Sequence, residues 1–379
     1  MRSNDCRGNG WPRDIHFWAS GIFAVAALPL LHRFQLPIRV DWVGLGVTYW
    51  ILLAGKAIFA ATVLALIGFP SSTLKPLVGR LRRDKVRTLL LLGYVVTLLW
   101  ILSWPSALVL AVDTVALLEV CERHKPHGLL WVSAVVLPPA LYLFLGLVLV
   151  SAYNDIILST RFFAAYDEIF NSADKFLLRG LSVSDLCHWA LRTFPLSMIR
   201  FMEFIYYGMF AQIGAALLLI SIYRGRRRGL QFVGAVLTAY YLALALFYLW
   251  PSQGPYYLCQ QHFSLFPASL KTYAAQLGSV AGAQALWNHV PLSRISFDYY
   301  IAFPCMHLVQ PLIVMWFVRS WKRIMIVLAA YDVLLIVAVV LLEWHYLVDI
   351  IAGFAVAGAA IAVVDGPELW RWRVEYESQ

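Results

Sequence analysis

Long apolar runs recur along this chain, and they constrain its fold more than any other feature. A helix needs about 20 mostly apolar residues to cross a bilayer. Ten segments approach or exceed that length: 17–31, 42–69, 88–104, 106–120, 129–151, 198–223, 230–249, 304–318, 324–343 and 345–364. Pro105 separates the third run from the fourth, and these two short runs are also compatible with a re-entrant hairpin. The pattern predicts an all-α, polytopic transmembrane helical bundle with about 8–10 transmembrane helices.

The overall composition agrees with this prediction. Hydrophobic residues make up 61% of the 379 residues and charged residues only 13%, which is more apolar than a soluble domain. The first 17 residues are polar and arginine-containing, unlike a cleavable secretory signal, so the first apolar run is expected to be a retained anchor. The five cysteines show no metal-binding spacing and are interpreted as buried thiols.

The basic residues predict the orientation in the membrane. Most of the 30 lysines and arginines fall in connections on one side, including 80–87, 224–228 and 319–323. Because cytoplasmic loops collect such residues, both termini are predicted to be cytoplasmic. The long connections 152–197 and 250–303 then face the periplasm, the extracytoplasmic space or a lumen. The net charge of +9 is thereby attributed to topology, and no nucleic-acid partner is expected.

The chain divides into three predicted regions. Residues 1–151 form an N-terminal transmembrane bundle of unknown role, residues 160–364 form a second bundle with every chemical signal, and residues 365–379 form a cytoplasmic tail. Within the first outer connection, Phe162 to Leu178 alternates charged and apolar residues. This pattern is typical of an amphipathic helix in the membrane interface.

Ionisable groups are few in the second bundle, and such groups at membrane depth are functional candidates because their burial is costly. His307 lies near the start of one apolar run, 304–318, and His345 and Asp349 lie near the start of another, 345–364. On a helix, His345 and Asp349 would share one face, one turn apart. The carboxylate could then fix the imidazole tautomer. The predicted topology brings His307 to the same outer side.

These residues belong to motifs that resemble a known family. Residues 303–307 (Phe-Pro-Cys-Met-His) and 345–353 (His-Tyr-Leu-Val-Asp-Ile-Ile-Ala-Gly) resemble motifs of the type 2 phosphatidic acid phosphatase superfamily. They are most similar to the branch of inositol phosphorylceramide synthase and related lipid phosphotransferases. Residues 251–257 lie where the superfamily has its first motif, and Asp174, Leu178 and Gly180 are also similar to the branch. The resemblance covers about residues 165–364.

The resemblance implies a fold and a mechanism. The C-terminal half would contain the superfamily's six-helix-type core and act on lipid substrates, sphingolipids or phospholipids. His345 would attack phosphorus to give a phosphohistidine, Asp349 would orient His345, and His307 would protonate the leaving oxygen. No metal and no other cofactor is implied.

Three departures from the superfamily's motifs favour a phosphotransferase over a simple phosphatase. No lysine or arginine lies between 230 and 270, Cys305 replaces a serine, and Val339 replaces an arginine. A phosphate still needs partners that stabilise its charge in the transition state. The candidate substrate-binding residues are Arg294, Lys271, His262, Tyr256, Tyr257 and Arg200, although the two tyrosines are also compatible with an interfacial aromatic belt.

The resulting hypothesis is a membrane lipid phosphotransferase. It moves a phosphoryl head group, of inositol-phosphate type or similar, between lipids of the outer leaflet. Three alternatives stay open: a lipid or polyprenyl phosphate phosphatase of the same superfamily, a lipid-carrier transporter, and a catalytically inactive scaffold. The oligomeric state is not predicted.

Overall fold

The computed structural model describes residues 15–33, 56–58, 60–65, 67–68, 128–160, 164–259, 269–288, 290 and 302–377. Every regular element in these ranges is helical, which confirms the all-α prediction. The helices are α1 (Ile15–Arg33), α2 (Gly128–Thr160), α3 (Ala164–Leu177), α4 (Val183–Thr193), α5 (Leu196–Arg224), α6 (Arg226–Leu249), α7 (Pro255–Leu258), α8 (Lys271–Trp287), α9 (Met306–Val318), α10 (Lys322–Leu341) and α11 (Leu347–Glu377). Residues 56–68 contribute further helical pieces.

Five helices within the described ranges are long and apolar enough to cross a membrane, namely α2, α5, α6, α10 and the Leu347–Gly366 part of α11. The apolar parts of α1 and α9 are shorter; α9 has 13 residues and spans roughly 20 Å. The predicted segments 88–104 and 106–120, and most of 42–69, lie outside the described residues. The polytopic helical bundle is confirmed, and the number of 8–10 spanning helices stays a prediction.

Two helices extend beyond their apolar runs. Helix α2 continues past residue 151 to Thr160, and polar residues of its last turns, including Ser151 and Asn154, are buried. Helix α11 continues past residue 364 to Glu377. The division into three regions is itself not tested by these ends.

The prediction that His345 and Asp349 share one helix is wrong, because α11 begins only at Leu347. The physical reason is a cap. The N–H groups of Leu347 and Val348 donate to the Asp174 carboxyl group, while the N–H of Tyr346 donates to Asp349. These bonds satisfy donors that have no partner inside the helix.

Helix α6 lies at the centre of the bundle and packs against α2, α5, α9 and α11. Its Phe232, Leu237 and Phe247 are fully buried, and the Phe232 ring meets Phe317 of α9 edge to face at 5.5 Å. Helix α10 packs on the other side, against α5 and α9. Close packing of apolar side chains therefore fixes the helices that approach the candidate site.

The bundle has two ends that differ in chemistry. The start of α9, the start of α11 and the end of α6 meet at the end that includes His307 and His345, which we call the histidine end. Arg228, Arg319 and Asp365 meet at the opposite end, which we call the arginine end. The predicted amphipathic run is helix α3, and it packs against α7 and α11 at the histidine end. Its location in a membrane interface stays a prediction.

Candidate active site

His307, His345 and Asp349 form a chain of side-chain contacts at the histidine end. His307 Nδ1 lies 3.1 Å from His345 Nε2, and His345 Nδ1 lies 3.4 Å from Asp349 Oδ2. His345 and Asp349 are buried. The distance of 3.4 Å is long for a hydrogen bond, but such catalytic contacts commonly tighten only when substrate is bound. The structure thus brings the three sequence-predicted residues together.

The two contacts of His345 are compatible with one tautomer. In it, His345 Nδ1–H donates to Asp349 Oδ2, and His345 Nε2 accepts from His307 Nδ1–H. A basic nitrogen with its lone pair directed away from the carboxylate is the arrangement that a nucleophilic histidine needs.

Backbone contacts fix the segments that bear the two histidines. The N–H of Cys305 donates to the Asp349 carbonyl at 3.0 Å, so the start of α9 is bonded to the first turn of α11. Gly353 eases this approach, because a Cβ atom there would make a tight 3.1 Å contact with the Cys305 carbonyl oxygen. The His307–His345 distance is therefore set by main-chain contacts and not by flexible side chains alone.

A cavity of about 80 Å³ opens beside the histidines. Aromatic rings dominate its wall: Tyr206 stacks on His307 with ring centroids 4.4 Å apart and on Trp344 at 5.0 Å. The other lining residues are Tyr207, Met209, Phe210, Tyr240, Gln253, Tyr256, Ala302, Met306, Gln310 and His345. No lysine or arginine is among these described lining residues.

Four buried polar atoms of the cavity residues have no hydrogen-bond partner within the described part of the chain. They are His307 Nε2, Trp344 Nε1, Gln253 Oε1 and Gln310 Oε1. Buried polar groups are normally hydrogen-bonded, so unpaired groups in a cavity wall suit a polar ligand. Trp344 Nε1 is a donor only and is suited to a phosphate oxygen.

The candidate substrate-binding residues are distributed around this cavity. Tyr256 lines it, whereas Tyr257 is half-buried and outside the lining. Arg200 is exposed and donates to Ser269 Oγ at 3.3 Å, and Lys271 is exposed at the start of α8. His262 and Arg294 lie outside the described residues.

Cys305, His307 and His345 also form a group that could hold a metal ion. One potential ligand atom from each lies within 4.8 Å of the others. A thiolate and two imidazoles are typical ligands of Zn²⁺. A metal ion that was bound by His307 Nδ1 and His345 Nε2 would replace the 3.1 Å hydrogen bond between them.

Sequence reasoning missed a carboxyl group that contacts the site segments. Asp167 of α3 is fully buried and accepts from Ser252 Oγ at 2.7 Å, Gln253 N–H at 3.1 Å and Gly254 N–H at 3.0 Å. Asp167 lies seven residues before Asp174, so both face the same side of α3. That spacing of two acidic residues in an amphipathic helix is the signal that could have identified Asp167.

Burial affects both acids of α3. It raises the pKa of Asp167 to about 7, although the three donated hydrogen bonds act in the opposite direction. Burial likewise raises the pKa of Asp174, against the effect of the Leu347 and Val348 N–H groups. Removal from water disfavours the charged form of a carboxyl group.

Comparison with known protein families identifies a family to which part of the chain is similar. Residues 180–363 match the family model of the PAP2 superfamily. The matched region includes His307, His345 and Asp349, and it supports the superfamily part of the resemblance. The inositol phosphorylceramide synthase branch stays a prediction. Neither the search of curated proteins nor that of solved structures found a match.

The match and the apolar helices together indicate an integral membrane protein that is similar to the PAP2 superfamily over residues 180–363. Members of this superfamily are typically phosphatases or phosphotransferases, which agrees with two neighbouring histidines beside a cavity. The predicted sides of the two termini and of the site stay predictions.

Proposed function

We propose that the protein is a membrane lipid phosphotransferase of the PAP2 superfamily, which moves a phosphoryl head group between lipids through a phosphohistidine at His345. The main support is the His307–His345–Asp349 chain, with distances of 3.1 Å and 3.4 Å, whose two histidines line the cavity. The charge distribution of the sequence favours a site on the outer leaflet.

In the first step, His345 Nε2 attacks the phosphorus of a donor phosphodiester. A P–N bond forms, the P–O bond to the leaving alcohol breaks, and the proton of His307 goes to the leaving oxygen. The step requires a doubly protonated His307, and the anionic phosphate of a bound donor would stabilise that form by direct attraction. Asp349 stabilises the positive charge on His345 through Nδ1–H.

In the second step, the acceptor alcohol attacks the phosphohistidine. Its oxygen bonds to phosphorus, the P–N bond breaks, and its proton goes to His307, which restores the starting state. Water in place of the alcohol would give hydrolysis, so the two activities differ in how well the cavity excludes water. The aromatic wall formed by Tyr206, Trp344 and Tyr256 favours transfer.

The donors around the cavity favour a phosphodiester over a phosphomonoester. A diester has one negative charge near neutral pH, whereas a phosphomonoester approaches two. Among the described lining residues, Trp344 offers a neutral unpaired donor, Nε1, and there is no lysine or arginine; a neutral donor suits the smaller charge. Preorganised neutral donors stabilise developing charge effectively in a site that excludes water.

The experiment uses purified full-length protein in detergent micelles with ³²P-labelled phosphatidic acid, phosphatidylglycerol and phosphatidylinositol as separate donors. Short-chain diacylglycerol and ceramide are the acceptors. We expect transfer from at least one diester donor, and acid-labile, alkali-stable ³²P on the protein. His345→Ala should abolish both, with turnover reduced by about 10⁴-fold or more.

The matched control is His32→Ala, because His32 is exposed at the end of α1 and far in sequence from the histidine end. It should retain wild-type turnover. Turnover that persists in His345→Ala would overturn the mechanism. Release of inorganic phosphate from phosphatidic acid, with no transfer to any alcohol, would replace the phosphotransferase by a phosphatase.

A further inference from the structure

Helix α3 contacts two of the segments that build the candidate site, and it does so through carboxyl groups. Asp167 and Asp174 are both fully buried and lie on one side of the helix, about 10 Å apart along its axis. The segments that they contact, 252–254 and 347–348, are far apart in the sequence. One short helix therefore bonds to both.

Asp167 bonds to the segment that follows α6. Its two oxygens accept from the Ser252 hydroxyl and from the N–H groups of Gln253 and Gly254, at 2.7 to 3.1 Å. Segment 252–254 has no regular secondary structure, so its buried N–H groups need partners from elsewhere in the chain. Asp167 provides these partners.

The same segment touches the residues next to His345. Gly254 has a φ of 115°, a conformation that favours glycine. A Cβ atom at this position would lie 2.7 Å from the Trp344 carbonyl oxygen. Gln253 lines the cavity and donates through Nε2 to the Ser279 carbonyl of α8 at 2.8 Å. Displacement of this segment would therefore alter both the cavity wall and the support of Trp344.

Asp174 bonds to the start of α11. It accepts from the N–H groups of Leu347 at 2.8 Å and Val348 at 3.2 Å, which are the first two of the helix. A negative group at this position is favourable for the helix dipole. Asp349, in the same turn, contacts His345, so Asp174 fixes the turn from which His345 is oriented.

We propose that Asp167 and Asp174 are positioning residues, through which helix α3 fixes the 252–254 segment and the first turn of α11 in the arrangement that phosphoryl transfer requires. The inference rests on the proposed function. Neither carboxyl group touches the reacting atoms. A displacement of about 1 Å in a catalytic arrangement can cost about 100-fold in rate, which sets the size of the expected effect.

The test compares Asp174→Asn, Asp174→Ala, Asp167→Asn and Asp167→Ala in the full-length protein. Asparagine retains one carbonyl oxygen and so keeps part of the bonding, whereas alanine removes all of it. We expect kcat to fall in the order Asp, Asn, Ala, by about 100-fold for alanine, with KM within about twofold. Rates are expressed per folded molecule, because a loss of folded protein would also lower the apparent kcat at constant KM.

Hydrogen–deuterium exchange supplies a second measurement that does not depend on activity. Asp174→Ala should accelerate exchange in the peptide that includes 347–348 and leave the peptide that includes 252–254 near wild type, and Asp167→Ala should do the reverse. The matched control is Glu168→Gln, which removes an exposed carboxylate from the same helix and should match the wild type in kcat and exchange.

Three results would overturn the inference: unchanged exchange at both segments, kcat within twofold of wild type in both alanine variants, or accelerated exchange along the whole chain. The first and third are decisive even if the wild type transfers no phosphate. An inactive wild type with the expected local exchange would contradict the proposed function, and with it the catalytic part of the inference.

Discussion

Buried carboxyl groups have different partners at the two ends of the bundle. At the arginine end, Asp365 accepts from Arg228 at 2.6 and 3.0 Å and from Trp316 Nε1 at 2.7 Å, with Arg319 at 3.8 Å. At the histidine end, Asp167, Asp174 and Glu203 accept from backbone N–H groups, in part supplemented by a hydroxyl. Charged side chains are the main partners of Asp365. Main-chain N–H groups are the main partners of Asp167, Asp174 and Glu203.

The difference indicates what each end has to fix. The Arg228–Asp365 pair joins the start of α6 to α11 through two side chains. At the histidine end, the acids bond to the main chain of short segments and helix starts, where N–H groups have no partner inside a helix. We therefore expect changes at the histidine end to affect catalysis first, and changes at the arginine end to affect stability first.

The largest expected effect is on His307. His307→Asn removes the proposed proton donor, and general acid catalysis contributes roughly 10²–10⁴-fold. Turnover of a diester donor with an alkyl leaving group should fall by that factor, while thermal unfolding in detergent stays near wild type. Transfer from a p-nitrophenyl phosphodiester should fall much less, because its leaving oxygen needs no proton. An equal loss with both donors would contradict the general-acid assignment.

At the arginine end, Arg228→Met should chiefly destabilise the protein. It leaves Asp365, whose side chain is fully buried, without its closest cation, and loss of one partner of a buried pair costs about 3–5 kcal/mol. The unfolding midpoint in detergent should fall, whereas kcat per folded molecule should not. Arg227→Met is the control, since Arg227 is exposed in the same turn. A loss of kcat without a loss of stability would contradict the division between the two ends.

The third prediction concerns the pH dependence that Asp167 gives to stability. Its pKa is about 7 in the folded protein and about 4 in an unfolded chain. Between these values the folded state retains a proton that the unfolded state has lost, so the free energy of unfolding should fall as pH rises from about 4 to about 7, by at most a few kcal/mol.

Asp167→Asn cannot ionise, and its carbonyl oxygen can replace Oδ1 in the bonds to Ser252 and Gly254. Its unfolding midpoint should therefore depend less on pH, and the variant should gain stability relative to the wild type between pH 5 and pH 8. Parallel pH profiles of the two proteins, measured by thermal unfolding, would show that Asp167 does not have the raised pKa.

Part of this site could be predicted from the sequence. The charges of the loops and the spacing of the motifs predicted that His307, His345 and Asp349 lie close together. Loop charges and the apolar runs of membrane-spanning helices can both be read from short stretches of sequence. The helical placement of His345 was wrong because the cap on α11 comes from Asp174, more than 170 residues earlier. Nearly every residue has the main-chain N–H group that such a cap binds. The sequence therefore does not show which helix start a distant carboxyl group will contact.

The cavity wall illustrates the same limit. Gln253, Gln310, Tyr206 and Trp344 come from four different segments, and nothing in their local patterns indicates that they meet. The end of α2 was also missed, since Asn154 has the composition of a loop but is buried within a helix. Fold class follows from apolar periodicity, whereas these contacts depend on how distant helices pack.

The smallest expected effect concerns Cys305, which replaces a serine of the family motif. Its thiol, with His307 and His345, should make the site sensitive to Zn²⁺, because thiolate and imidazole suit this ion better than a hydroxyl does. Micromolar Zn²⁺ should inhibit wild-type transfer, and Cys305→Ser should need about tenfold more, in line with losses on altering a metal site. Cys259→Ser is the control, since Cys259 is a free, partly buried cysteine outside this group.

Co²⁺ should produce a thiolate charge-transfer band in the wild type and in Cys259→Ser but not in Cys305→Ser. Equal Zn²⁺ sensitivity of all three proteins would exclude Cys305 as a ligand and leave the histidine pair as the metal-sensitive element.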